Sequence, residues 1–108
     1  DPPRSETLEV GDLVLNMDSY EVFRNGVKID LTLKEFELLE ILVRNRNRVL
    51  KRDYLLRTLW DYNHTANTRV LDVHISKLRD KIEPDSSNPR YIKTVRGIGY
   101  MFQGGTDG

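Results

Sequence analysis

The sequence predicts an α+β fold, and three observations carry that prediction. Residues 8–31 break into short β-type runs separated by turn dipeptides, residues 67–83 hold one amphipathic helical repeat, and residues 91–103 hold two more β-type runs around Arg96-Gly97-Ile98-Gly99. Sheet-forming pattern at both ends with helical pattern between them separates the two kinds of structure along the chain.

The chain has 108 residues, which fits one domain large enough to bury a core without a metal or cross-links. It contains no Cys, so a disulfide framework or a Cys-based zinc site is excluded and the reducing cytosol is the natural setting. The apolar runs are only a few residues long, far short of the roughly 20 that span a bilayer, and no charged-then-apolar leader opens the chain. A soluble, cytoplasmic protein with no membrane partner is expected. Formal net charge is zero, but its distribution is uneven. Residues 1–40 carry four basic and ten acidic side chains, a balance of −6, whereas residues 41–102 carry thirteen basic and six acidic, a balance of +7. Such asymmetry implies a basic working face and an acidic back.

Residues 1–7, with two prolines and no periodicity, are expected to be a linker or tail, residues 8–103 the domain, and residues 104–108 a C-terminal tail. The start without an initiator Met and the ending GGTDG suggest a piece of something longer. β-type runs at 8–10, 13–16, 20–24 and 27–31 are separated by Gly11-Asp12, Asp18-Ser19 and Asn25-Gly26, an antiparallel meander of four strands. Asn25-Gly26 is the surest turn, because a type I′ turn needs positive φ at both central residues. Alternation of Val27, Ile29 and Leu31 with Lys28 and Asp30 implies one buried and one wet face.

Thr32-Leu33-Lys34-Glu35 is a capping box that starts a first helix. Its Leu33, Phe36, Leu38, Leu39, Ile41, Leu42 and Val43 spread round more than one side, so it is expected between the meander and the later helices, at the centre of the core. After a basic turn at 44–48 and a short extended piece at Val49-Leu50, a second helix is predicted over 52–60 with Leu55, Leu56, Leu59 and Trp60 inward. Lys51 stands at its cap position, where a cation opposes the helix dipole. A polar loop at 61–66 leads into the third helix, 67–83. There Leu71, Ile75, Leu78 and Ile82 form one apolar stripe for the core. Opposite lie Arg69, Val73, Ser76 and Lys77, with Val70 and His74 on one shoulder and Asp72 and Arg79 on the other. Residues 84–89, PDSSNP, cannot continue the helix. Strands at 91–95 and 100–103 then make a closing hairpin with Arg96 at its tip and two glycines permitting unusual φ.

Catalysis has little to stand on. The histidines are His64 and His74, and no GxSxG, HExxH or P-loop pattern is present. The run Arg-Gly-Ile-Gly-Tyr lies between strands with no helix after it, so it is no phosphate cradle, and the scattered carboxylates read as a solvated face. No enzyme, metal or cofactor is expected. Nucleic-acid binding is better supported, because a helix can enter the major groove and place Arg, Lys and small apolar groups against base edges. Arg69 and Lys77 alone would mean no more than a soluble helix surface. Exposed Val70 and Val73 have no use on such a surface, however, although packing on the preceding helix accounts for one of them. Arg96 at a hairpin tip has the position to enter an adjacent minor groove, whose negative potential attracts arginine. A helix, loop and helix followed by an arginine-tipped hairpin is a winged helix-turn-helix.

Three segments in order, DLTLKEFELLEILVRNRNRVLKRDYLLRTLW over 30–60, RVLDVHISKLRDKIE over 69–83 and RYIKTVRGIGYMF over 90–102, make the chain resemble the C-terminal effector domain of OmpR/PhoB-type response regulators. The resemblance covers 8–102 and implies an N-terminal four-stranded antiparallel sheet, three helices and a C-terminal β-hairpin wing. It implies sequence-specific binding of double-stranded DNA, as a tandem dimer on direct repeats, in transcription control by a two-component phosphorelay. It also implies an upstream receiver domain through which a sensor histidine kinase acts. Position by position, Arg69, Val70, Val73, His74, Ser76 and Lys77 are expected at the major groove. Lys51, Arg52, Arg79, Thr94 and Tyr100 are expected near phosphates, and Arg96 in the minor groove. Asp61, Tyr62, Asn63, His64 and Thr65 match a loop that in some members touches RNA polymerase. Lys51 stands where Ser or Thr is usual, Val70 where Thr or Ser is common and Ser76 where a basic residue is frequent, so base preference is not carried over. A winged helix used only for protein interaction, by polymerase docking or self-association, is the alternative. On the DNA reading, Asp80 shares the side of Arg69 and Val73 and would repel phosphate, so the helix is expected to enter the groove by its N-terminal half.

Overall fold

The computed structural model describes residues 7–60 and 69–104. Strands β1 (Thr7–Val10), β2 (Leu13–Asn16), β3 (Glu21–Arg24) and β4 (Val27–Ile29) form an antiparallel sheet in the order β1-β2-β3-β4. Asn25 and Gly26 take φ of 52° and 81°, as a type I′ turn between β3 and β4 requires. The register aligns Leu8, Leu15, Val22 and Ile29 across one face, which packs on the helices. Two expectations here are corrected. Tyr20 belongs to the preceding turn at a positive φ of 59°, and its ring stacks on Phe36 with centroids 5.2 Å apart. Val27 is 67% exposed, because β4 is an edge strand and its first residue, beside the turn, lies beyond the helices' cover. Ile29 and Leu31 are half-buried against the core, and Leu31 lies past the end of β4.

Helix α1 (Leu33–Arg44) opens on the complete capping box. The Thr32 Oγ1 accepts from the Glu35 amide at 3.2 Å, and the Glu35 carboxylate accepts from the Thr32 amide at 3.0 Å. Phe36, Leu38, Leu39, Leu42 and Val43 are buried; Leu33 falls on the opposite side of the cylinder and is exposed. β5 (Val49–Lys51) is more than the expected extended piece. It joins β6 (Ile92–Val95) and β7 (Gly99–Phe102) in a second sheet of order β5-β7-β6, so the wing is three-stranded.

Helix α2 (Arg52–Trp60) buries Leu55 and Leu56 and packs Leu59 and Trp60 partly against the core. Lys51 supplies no capping acceptor. In its place the first helical amide, Arg52 N, donates to the Ile98 carbonyl of the wing at 3.2 Å. Helix α3 (Arg69–Ile82) buries Leu71, Ile75, Leu78 and Ile82, the expected stripe. Glu83 lies outside the helix, correcting the expected end. The Arg24 guanidinium of β3 donates to the Ile82 carbonyl at 3.0 Å, satisfying a terminal acceptor that the helix leaves open. At the wing turn only Gly97 has positive φ, 77°. Gly99 is needed for a different reason: a Cβ there would run into the Leu50 carbonyl of β5.

Candidate nucleic-acid interface

α3 is anchored by its buried stripe, and its other faces carry the candidate residues. Arg69, Val73, Ser76 and Lys77 are exposed, and Val73 at 47% is unusually open for a valine. Asp80, farther along that side, is exposed too. Val70 and His74 turn toward α2. Val70 packs partly on the core. His74 places Nδ1 2.8 Å from the Val70 carbonyl, and its ring meets Trp60 edge-on at 5.0 Å between centroids. Among the described residues, the side chains of Lys77 on the helix, Arg96 at the wing tip and Lys51 at the end of β5 make no hydrogen bond or ion pair. A cation without a partner among these residues suits a phosphate or a base edge.

Four other residues expected near phosphate are joined to one another and to Asp72. Arg52 donates from two guanidinium nitrogens to the Asp72 carboxylate, and the Tyr100 hydroxyl donates to the same carboxylate at 2.7 Å. The Arg52 bonds hold the Asp72 carboxyl below the usual carboxylate range, although partial burial opposes them and the Tyr100 bond assists. Burial, helped by the Asp72 carboxylate, pushes the Tyr100 phenol up to about 12. Arg79 donates to the Ile92 carbonyl at 3.2 and 2.9 Å and to Thr94 Oγ1 at 2.8 Å, and its guanidinium sits 5.8 Å from the Tyr100 ring centroid. Thr94 is exposed, while Tyr100 is buried. Residues 61–65, expected to form the polymerase loop, lie outside the described residues.

Two carboxylates, Glu35 and Glu83, hold the elements behind this surface. Glu35 is buried, and the Lys81 ammonium of α3 reaches it at 2.7 Å. Burial raises the Glu35 carboxyl, but the Lys81 and Thr32 bonds outweigh burial and leave it below its ordinary value. Glu83 is buried just past α3 and accepts from the amides of Arg90, Tyr91 and Ile92, holding the entry to β6. The Thr-x-x-Glu spacing signalled half of Glu35's role, whereas no local spacing signals Lys81 or the amides that Glu83 meets.

Folded-state pKa values below the unfolded ones for Glu35 and Asp72 contribute stability that is present above the ordinary carboxyl values of 4.5 and 3.8 and is lost as pH falls below these and through the lowered folded-state values. Urea midpoints are therefore expected to fall between pH 7 and pH 3, and Glu35→Gln is expected to flatten that fall. An equal drop in the variant would contradict the assignment.

A groove of about 330 Å³ between α1 and α2 is lined by Glu37, Glu40, Ile41, Arg44, Thr58 and Leu59. Two of its charges already pair with each other, Arg44 with Glu40 at 2.9 Å, and Glu37 pairs with Lys34 at 3.2 Å. Among the described residues there is no group of His, Cys, Asp or Glu arranged to hold a metal, and no helix is long and apolar enough to cross a membrane.

Comparison with known proteins gives a consistent picture. The family described as "Transcriptional regulatory protein, C terminal" matches residues 26–102. The alkaline phosphatase synthesis transcriptional regulatory protein PhoP of Bacillus subtilis is 50% identical over 94 residues, covering 87% of this chain and 39% of that protein. The DNA-binding response regulator MtrA of Mycolicibacterium smegmatis is 44% identical over 96 residues, covering 89% of this chain and 42% of the relative. The chain thus spans about two-fifths of the length of these relatives. Among solved structures, the response regulator DrrB of Thermotoga maritima, an OmpR/PhoB homolog, superimposes with a TM-score of 0.83 at 41% identity, over 91% of this chain and 44% of that one. The DNA-binding domain of Klebsiella pneumoniae RstA, solved in complex with the RstA box, superimposes with a TM-score of 0.84 at 32% identity, over 91% of this chain and 97% of that one.

Proposed function

The chain belongs to the transcriptional regulatory protein C-terminal family, the DNA-binding domains of OmpR/PhoB-type response regulators, and on that premise we propose how it reads DNA. It binds double-stranded DNA sequence-specifically as a transcriptional effector domain. α3 enters the major groove by its first turns and presents Arg69, Val73, Ser76 and Lys77 to the bases, with Val70 and His74 at the shoulder. The wing places Arg96 in the adjacent minor groove. Lys51, Arg52, Thr94, Arg79 and Tyr100 line the phosphate-facing rim; Lys51 and the exposed Thr94 are the most accessible of them. The observation that carries this reading is the pairing of an exposed, partly apolar helix face with a braced wing, each bearing a cation, Lys77 and Arg96, whose side chain has no partner among the described residues.

Within the whole protein, the same reading gives two copies on direct repeats, an upstream receiver domain addressed by a sensor histidine kinase, and polymerase contact through residues 61–65. The setting is the cytoplasm and no catalytic role is assigned. These proposals rest on the family and on the greater length of the relatives.

Affinity for a target duplex measured against salt tests the reading, because each neutralised phosphate lowers log K by roughly 0.9 per log unit of salt. Several units of slope are expected, and a salt-independent association would favour a protein-interaction module instead. Arg96→Ala is expected to weaken binding roughly tenfold and to abolish preference for A·T pairs beside the core site, the size of effect one specific contact carries. Unchanged flank preference would remove Arg96 from the minor groove.

A further inference from the structure

Asp72 is a carboxylate in the first turns of a helix face proposed to approach DNA, where an unpartnered negative charge would repel phosphate. It is nonetheless half-exposed, with a side chain 48% accessible. Its position is accounted for by what it holds. The Arg52 guanidinium, from the start of α2, and the Tyr100 hydroxyl, from β7, both donate to it. Arg52's own amide donates to the Ile98 carbonyl beside the wing turn, so the residue that discharges Asp72 also grips the wing near its tip. At the other strand of the hairpin, Arg79 of α3 donates to the Ile92 carbonyl and to Thr94. The wing is therefore fastened to α3 at both strands, by Arg79 on β6 and by Asp72 on β7. Through its one side chain Asp72 joins α3, which carries it, to both α2 and β7.

We infer that Asp72 is a positioning residue for DNA reading: by holding Tyr100 and Arg52 it fixes the wing relative to α3, so that Arg96 meets the minor groove at one spacing from the bases under α3. This rests on the proposed DNA reading. It goes beyond it in assigning spacing specificity to a residue that touches no base. A hairpin that has lost the Asp72 tie on β7 and keeps only the Arg79 tie on β6 has more than one seat against α3, and a less firmly fixed wing tolerates a displaced flank.

The test uses a selected duplex and a second duplex in which the A·T flank is displaced by one base pair from the core. Wild-type protein is expected to bind the displaced duplex roughly tenfold more weakly, about the effect of one mismatched pair. Asp72→Ala, a change that favours the helix, is expected to reduce that ratio to about twofold, whatever its absolute affinity. Tyr100→Phe keeps the buried ring and removes only the hydroxyl, and it is expected to lower the ratio in the same direction. It also keeps the inference testable if Asp72→Ala folds poorly. A merely structural role would lower affinity for both duplexes alike and leave the ratio at its wild-type value, and that result in either folded variant overturns the inference. A wild-type protein with no preference between selected and scrambled duplexes would instead overturn the DNA reading itself.

Discussion

Glu83→Ala is expected to lower the unfolding free energy by about 3–5 kcal/mol, since each buried donor left without its acceptor costs about 1–3 kcal/mol. Glu83 Oε1 accepts from Arg90 N at 2.8 Å and from Tyr91 N at 3.1 Å, while Oε2 accepts from Tyr91 N at 3.0 Å and from Ile92 N at 2.8 Å. Tyr91 and Ile92 are buried, so water cannot readily replace the carboxylate. Within the loop, Asp85 accepts from the Ser87 and Asn88 amides, which leaves the Arg90, Tyr91 and Ile92 amides at the entry to β6 to Glu83. A domain of this size has about 5–15 kcal/mol in total, so the variant is expected to sit near the edge of folding. Glu83→Gln keeps one acceptor oxygen and is expected to lose roughly half as much. Urea denaturation of both variants measures this directly, and a loss below about 1 kcal/mol for Glu83→Ala would show that the amides find other acceptors.

Lys77→Glu is expected to reduce affinity for a selected duplex by roughly 100-fold or more, because it removes a cation from the side proposed to face the groove and would set a carboxylate against phosphate there, a like-charge contact costing several kcal/mol. The Lys77 side chain is exposed and makes no hydrogen bond or ion pair among the described residues, so the substitution breaks no side-chain contact described in the fold. Stability is expected to change by no more than about 0.5 kcal/mol, as for other surface positions. Loss of binding with stability unchanged locates the effect at the interface. Wild-type affinity in Lys77→Glu would move the reading face off this side of α3.

The features legible in the sequence are those with a local periodicity or a local chemical signature. The apolar stripe of Leu71, Ile75, Leu78 and Ile82 reported its own burial through helical spacing, and the Thr32-x-x-Glu35 box and the Asn25-Gly26 turn reported their geometry through residues that touch each other. Edges were less legible. Val27 and Leu33 follow the apolar pattern of their elements yet stand exposed, because where a sheet or a helix's cover stops is decided by distant packing. Least legible were polar pairings across the chain: Lys81 with Glu35, Arg24 with the end of α3, Arg52 with both Asp72 and the wing. Arg52, Arg79, Thr94 and Tyr100 illustrate the limit. Their positions suit a phosphate rim, but only the structure reveals that they also bind one another or Asp72 and so brace the wing. Asp72 looked like an ordinary shoulder residue of α3 until its partners from α2 and β7 were in place.

Selection of bound sequences from a random duplex pool tests the central claim most directly. One core motif, matched to the first turns of α3, is expected to be enriched, with an A·T-rich flank at fixed spacing where Arg96 is proposed to enter the minor groove. Recovery of a pool no different in sequence from the starting one would contradict it.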